Sequence, residues 1–512
     1  MAAALLLLAV SALAPHCAAS HPLPRLSHAR APTSLTSSPP LMTTRDAAAA
    51  GRAENLMAVG AALSSLLQGY NTGVIGGALL SIVPEFDLAA RPAVQGLIVT
   101  ATTLGSLAGT ISASRLSDSL GRRGTMLVSS ALFAVAGALL SWAPTAAILV
   151  LARLVAGLAI GNAGAVVPVY IAECSRKSSR GRLSTIPQLF ISSGILCSYA
   201  VAFAVSVLAP RGGWRLMMSV TLVLAVVQLA CVLALPESPR FLLSKGKDDE
   251  ARLALARLRG VASRPDVTNV EFAEMREGIK RDAHAPSFSE SWAVLREPAV
   301  RRTLLVCVAL QMLQQFSGIN AIVYYTPQTL QEVGVPLLFS RLGFTADAAS
   351  MLATTLAYIP KIPSLLLTMV LIDRVGRRKL LQSFVPLLGL CHLALVWAFS
   401  AMSDAAVLPK VVAVLGITVY GCAFALSLGP IPNILTAELF PMRARSMAMS
   451  TSLGSQFLFN TMVGMGFPIL RHAFGTRAVF GMFAIVCFAA TIFVSKFVPE
   501  TKGEALERIS EK

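Results

Sequence analysis

Along most of the chain, apolar stretches of about twenty residues, the length that crosses the hydrocarbon core of a bilayer, alternate with short connections that hold most of the charge. From Leu56 these stretches come in pairs, and roughly twelve can be read. Uninterrupted apolar runs predict helices rather than the alternating strands of a barrel, because in lipid the backbone must satisfy its own hydrogen bonds. Three connection signatures occur twice: DSLGRRGTM from Asp118 and DRVGRRKLL from Asp373, AECSRKSSRGR around Glu173 and AELFPMRARSM around Glu438, PESPR from Pro236 and PETKG from Pro499. Their spacing is nearly constant at about 255 to 265 residues, which predicts a duplicated six-helix unit.

One apolar stretch breaks the pattern. Residues 310–327, LQMLQQFSGINAIVYYTP, carry Gln314, Gln315, Asn320 and two adjacent tyrosines through what is predicted to be membrane. Helical steps of three and four put Gln314, Ser317 and Gly318 on one side with Gln315 beside them. Uncharged amides offer donors and an acceptor without the burial cost of an ion, so they suit a neutral, hydroxyl-rich ligand. Taken singly, each amide also fits a helix–helix hydrogen bond, worth ~0.6 to 2 kcal/mol in membranes.

Hydrophobic residues make up 55% of the chain and charged residues 13%, which excludes a soluble protein. The net charge of +17 does not mark a nucleic-acid surface, because the basic residues fall in alternate connections and so set topology. The rich loops and both ends of the mature chain are expected to face the cytoplasm or its topological equivalent. Eight scattered cysteines without a CxxC, and dispersed histidines with no nucleophile and base at helical spacing, call for no metal, no cofactor and no catalytic residue; an enzyme is not expected.

The expected domains are a targeting presequence or disordered tail (1–53), an N-terminal six-helix bundle (54–235), a cytoplasmic helical loop (236–302), a C-terminal six-helix bundle (303–498) and a cytoplasmic tail (499–512). Within the loop, DDEARLALARLRG reads as a surface helix with a leucine stripe that caps the cytoplasmic face. The first 45 residues contain no Asp or Glu, and an apolar block precedes a stretch rich in Ser, Thr, Pro and Arg. They resemble the two-part presequences of algae with complex plastids, although Leu13 stands where the cleavage motif usually has Phe. The alternative is a tail ahead of a plasma-membrane carrier.

Taken together, RLSDSLGRR, RLVAGLAIGNAGAVVPVYIAE, PESPRFLLSKGK, QQFSGINAIVYY, DRVGRRKLL, GPIP, AELFPMRAR and PETKG, in this order, resemble the sugar porter family of the major facilitator superfamily. The resemblance implies an all-α membrane protein of twelve transmembrane helices in two six-helix bundles, rocking about one midplane site. It implies sugar contacts at Gln188, Ile191 and Ile195, at Gln314, Gln315 and Asn320, and at Asn433 and Asn460. Tyr324 and Tyr325 would close the outer side, and the Gly429, Pro430 and Pro432 break would flex on the inner side. Asp118, Arg122, Arg123, Glu173, Arg180, Glu237 and Arg240, with Asp373, Arg377, Arg378, Glu438 and Arg445, would form ion pairs between the bundles as a cytoplasmic latch.

Five departures bear on substrate, latch and coupling. Asn433 replaces a family Trp and Phe457 stands where hexose carriers often have another, which reduces stacking on a sugar ring. Ser119 replaces a second basic residue of the first latch. Proton-driven members read GYD in the first helix, whereas this chain reads GYN with Asn71, which cannot titrate; facilitated diffusion is expected. Lys361 puts a cation in the eighth apolar run, where the resemblance implies a cavity-facing polar residue. The leading expectation is transport of a neutral monosaccharide, a hexose such as glucose, in the lipid bilayer. The alternatives are a proton-linked or anionic sugar or polyol carrier and, from another class, a sugar-sensing receptor without transport.

Overall fold

The computed structural model describes residues 44–501 except 177, 210–212, 262–267, 283–293, 295–296, 404 and 441. The expected presequence therefore lies mostly outside the described residues, as does the tail beyond residue 501. Helices follow one another without a strand among the described residues. In the first half they are α1 (Thr44–Glu85), α2 (Pro92–Trp142), α3 (Ala146–Cys174), α4 (Ile186–Leu208) and α5 (Trp214–Ala234). Two amphipathic helices come next, α6 (Asp248–Leu258) and α7 (Asn269–Asp282). The second half holds α8 (Pro298–Phe316), α9 (Ile319–Glu332), α10 (Ala346–Tyr358), α11 (Lys361–Val375), α12 (Arg377–Ser400), α13 (Val407–Leu426), α14 (Ile431–Leu439), α15 (Met442–Phe474) and α16 (Thr476–Phe497).

Among the described residues, 10 helices are long and apolar enough to cross a membrane. The expected twelve is reached only by counting the two arms of α2 separately and adding α15. The 51-residue α2 is interrupted at Gly121, where φ is 84° and ψ is 177°, a region open essentially to glycine alone. The same feature recurs at Gly376 (φ 101°, ψ 156°), between α11 and α12. At both positions an acid sits against the turn: a Cβ on Gly121 would lie 2.3 Å from Glu237 Oε2, and one on Gly376 would lie 2.6 Å from Glu500 Oε2.

These turns organise two matching clasps. Glu237 accepts from the backbone amides of Arg122 (3.0 Å) and Arg123 (3.1 Å), and Glu500 from those of Arg377 (3.0 Å) and Arg378 (3.1 Å). The first arginine of each pair bonds the acid of the neighbouring loop, Arg122 to Glu173 at 3.0 Å and Arg377 to Glu438 at 2.9 Å. A hydroxyl completes each set: Ser238 donates to Glu173 (2.5 Å) and Thr501 to Glu438 (2.6 Å). The second arginines cap helix ends, Arg123 on the Val232 and Leu233 carbonyls and Arg378 on that of Ser495.

In this arrangement the residues of the expected latch pair within the bundles. Each of these pairs closes within one bundle, because the acceptors stand at the ends of helices packed inside the same half. Asp373 bonds Arg377 on its own turn at 3.2 Å. Asp118 and Arg240 are exposed and join no ion pair among the described residues. Arg180 is half-buried, with no hydrogen bond to its Nε. The side chain of Arg445 lies outside the described residues.

The helical loop docks through more than leucines. Ala251, Ala254 and Leu255 of α6 pack on Leu242, Leu243 and Phe272. Arg259, 1% exposed, then bonds Glu271 (2.9 Å), Glu54 (3.0 Å) and the Cys174 carbonyl (2.9 Å). Burial alone would lower its pKa, but the Glu271 and Glu54 carboxylates outweigh it and raise it.

Candidate functional site

The site is built on two broken helices. Between α8 and α9, Gly318 takes the left-handed conformation (φ 90°), so the Ser317 carbonyl leaves the helical ladder. Tyr420 donates to it at 2.9 Å and His392 Nε2 lies 2.8 Å from it. The second break separates α13 from α14 at Ser427–Pro430. Proline cannot donate there, and the freed carbonyls of Leu428 and Gly429 accept from Gln314 Nε2 at 2.5 and 3.1 Å.

From Gln314 a line of amides runs across the second half. Gln315 Nε2 donates to Gln314 Oε1 (2.8 Å), Asn320 Nδ2 to Gln315 Oε1 (2.5 Å), and Asn460 Nδ2 to Asn320 Oδ1 (3.2 Å). It ends on the other half, where the Thr103 hydroxyl of α2 reaches Asn460 Oδ1 at 3.3 Å. Tyr324 points at the same oxygen (3.4 Å). Gln314, Gln315 and Asn320 are all buried. One set of neutral donors and acceptors thus spans both bundles, with no ion in it.

Around this line the halves meet along one seam. The Tyr199 hydroxyl of α4 donates to the Val323 carbonyl of α9 at 2.7 Å, and the Tyr199 ring packs edge-on against Tyr358 at 5.4 Å. Gly96 of α2 runs so close to α15 that a Cβ would lie 2.7 Å from the Met465 carbonyl oxygen. Tyr324 and Tyr325 are buried in this seam, Tyr325 stacked on Phe467 at 4.7 Å with its hydroxyl donating to the Gly464 carbonyl. By the expected topology the seam is the outer side.

Gln314, Gln315, Asn320 and Asn460 are therefore brought together. Asn433 joins a neighbouring pair, accepting from Gln311 Nε2 at 2.7 Å. Ile195 packs against α1, where a Cβ on Gly73 would lie 3.1 Å from its Cγ2, and a Cβ on Gly69 would lie 2.0 Å from the Ile191 carbonyl oxygen. Gln188 stands apart at the start of α4, exposed, with no hydrogen bond to the amide line among the described residues. Asn71 is buried, donating to the Leu67 carbonyl (3.0 Å) and accepting from Thr221 (3.4 Å). Lys361 lines a cavity at the junction of α10 and α11. The sequence reading missed Gln311, Thr103 and Arg153. Gln311 was legible one turn before Gln314 in QMLQQ. Arg153, 1% exposed in α3, donates to the Val99 carbonyl at 3.2 Å while its Nε and Nη1 have no hydrogen-bond partner.

The family described as "Sugar (and other) transporter" matches residues 57–512. The chain is 32% identical to the glucose transporter GlcP of Staphylococcus epidermidis, over 88% of this chain and 94% of that one. It is also 32% identical to polyol transporter 5 of Arabidopsis thaliana, over 89% and 85%. Among solved structures, the inward open conformation of the xylose transporter XylE from E. coli superposes with a TM-score of 0.73 at 25% identity, covering 90% of this chain and 99% of that one. The same transporter bound to 6-bromo-6-deoxy-D-glucose gives 0.66.

Proposed function

From the premise that this multi-pass membrane chain belongs to the sugar (and other) transporter family, we propose that it carries a neutral polyhydroxylated solute, a hexose such as glucose or a polyol, by alternating access. One observation carries the reading: the buried amide line from Gln314 to Asn460 ends on Thr103 of the opposite bundle. Sugar hydroxyls match such donors and acceptors, and a ligand bonded to both bundles acts differently on their two arrangements. The names of GlcP and polyol transporter 5 support the same solute class. Four of the amides that the family resemblance assigned to sugar contact, Gln314, Gln315, Asn320 and Asn460, form the line; Gln188, Ile191 and Ile195 are proposed to complete it from α4.

The seam at one end of the bundles, and the higher superposition on an inward open neighbour, support a state closed outside and open inside. Asn71 supports facilitated diffusion, since an amide bonded to Leu67 and Thr221 has no proton to cycle. The membrane is the plasma membrane or a plastid envelope, and fluorescent fusions with and without residues 1–53 distinguish the two. Counterflow in proteoliposomes tests the function. Internal unlabelled glucose or mannitol is expected to drive transient accumulation of the labelled solute, and no counterflow with any hexose, pentose or polyol would overturn the reading.

A further inference from the structure

The break between α8 and α9 leaves the Ser317 carbonyl outside the helical ladder in a fully buried position, where a backbone acceptor must find another partner. Three helices of the same bundle converge on that one oxygen. Tyr420 of α13 donates to it at 2.9 Å, Nε2 of His392 in α12 lies 2.8 Å away, and the Cys487 thiol of α16 stands at 3.9 Å. A carbonyl only accepts, so the imidazole carries its proton on Nε2. Its Nδ1 is left as a bare lone pair, buried and without a hydrogen-bond partner.

Rings hold His392 in place. Tyr420 lies 4.8 Å from it, Phe480 stacks on it at 5.7 Å and Phe483 sits at 5.6 Å. Phe483 covers the joint as well, since a Cβ on Gly318 would lie 2.8 Å from its Cδ2. A leucine or methionine in this cage would avoid the cost of the unmatched Nδ1 but would supply no donor to Ser317. The joint that His392 fastens lies inside the amide line: Gln314 and Gln315 precede Ser317, Asn320 follows Gly318, and the bond from Asn320 to Gln315 spans the break. His392 itself bonds none of the four amides among the described residues.

We propose that His392, together with Tyr420, is a positioning residue for the solute site: by holding the Ser317 carbonyl it sets the angle at which α9 presents Asn320 to Gln314 and Gln315. The proposal rests on the transport reading above. The test uses the full chain in proteoliposomes with labelled glucose and labelled mannitol. H392M removes the donor but keeps a flexible apolar chain in the cage, H392Q keeps an N–H donor, and Y420F removes only the other donor to the same carbonyl. H392M and Y420F are each expected to raise half-saturation for the carried solute about fivefold, the weight of one neutral hydrogen bond, with the maximal rate within about twofold of the wild type. H392Q is expected to restore the wild-type value. A second readout does not depend on turnover: the rise in melting temperature that the same solute gives the detergent-solubilised protein shrinks in H392M and Y420F and persists in H392Q. Should H392M not fold, Y420F decides. If these variants lower the melting temperature of the solute-free protein but leave half-saturation and the solute-induced rise as they were, or if H392Q behaves like H392M, the positioning role is overturned and the transport reading stands. If the wild type carries no hexose, pentose or polyol, the transport reading falls and the positioning role with it.

Discussion

Gln315 both gives and accepts within the amide line, donating to Gln314 and accepting from Asn320. Gln315→Ala therefore strands a partner on each side and removes a ligand contact. The expected cost is ~1 to 3 kcal/mol of sugar affinity, roughly tenfold or more in half-saturation, and an unchanged value in a folded mutant removes Gln315 from the site. Gly121 answers to a different constraint. Its backbone region is closed to other residues at ~1 to 3 kcal/mol, and a Cβ would strike the Glu237 carboxylate at 2.3 Å. Gly121→Ala is expected to lower thermal stability by at least that much, read as a melting shift of the purified protein. The amides were legible because a polar residue inside an apolar run has contrast. Thr103 had none: a threonine beside Thr102 in VTATTLG reads as an ordinary helix residue, and only the approach of α15 gives it a role.

At the scale of elements, the apolar runs and repeated loops announced the helices and the duplication, but not the breaks. Residues 310–327 read as one continuous helix, whereas Gly318 splits them, since glycine alone in SGIN tolerates a φ of 90° at little cost. The split separates Gln314 and Gln315 from Asn320, so a ligand held by both parts also fixes the angle between α8 and α9. The partners of the clasps were illegible for another reason. Sequence spacing shows that acids and arginines gather at helix ends, but not whether they meet inside a bundle or across two. Because Glu438 holds Arg377 and Thr501 within its bundle, Glu438→Gln is expected to loosen the ends of α12 and α14 that meet at the clasp by ~1 to 3 kcal/mol. The predicted result is slower transport with half-saturation nearly unchanged. A large change in half-saturation at constant rate would instead tie Glu438 to the sugar site.

For the whole molecule, the α6–α7 part of the helical loop is fastened to the first bundle through Glu54 and Arg259, both 1% exposed. Glu54→Ala leaves a buried guanidinium without one of its two carboxylates, a change expected to cost ~3 to 5 kcal/mol. Limited proteolysis should then cut near α6 and α7 well before the bundles, and a cleavage pattern like the wild type's would show that α6 docks without that pair. Coupling is also a property of the whole molecule: with Asn71 in place of an acid, a pH jump across the vesicle is expected to drive no uphill accumulation, and uphill uptake abolished by a protonophore would refute passive transport. The duplicated clasp has one more consequence. Because Gly121 with Glu237 and Gly376 with Glu500 perform the same task on one polypeptide, the chain contains its own reference copy. A lesion introduced at one clasp can be compared with its twin in the same membrane, at the same expression level, so any difference in outcome measures the division of labour between two halves that began as one.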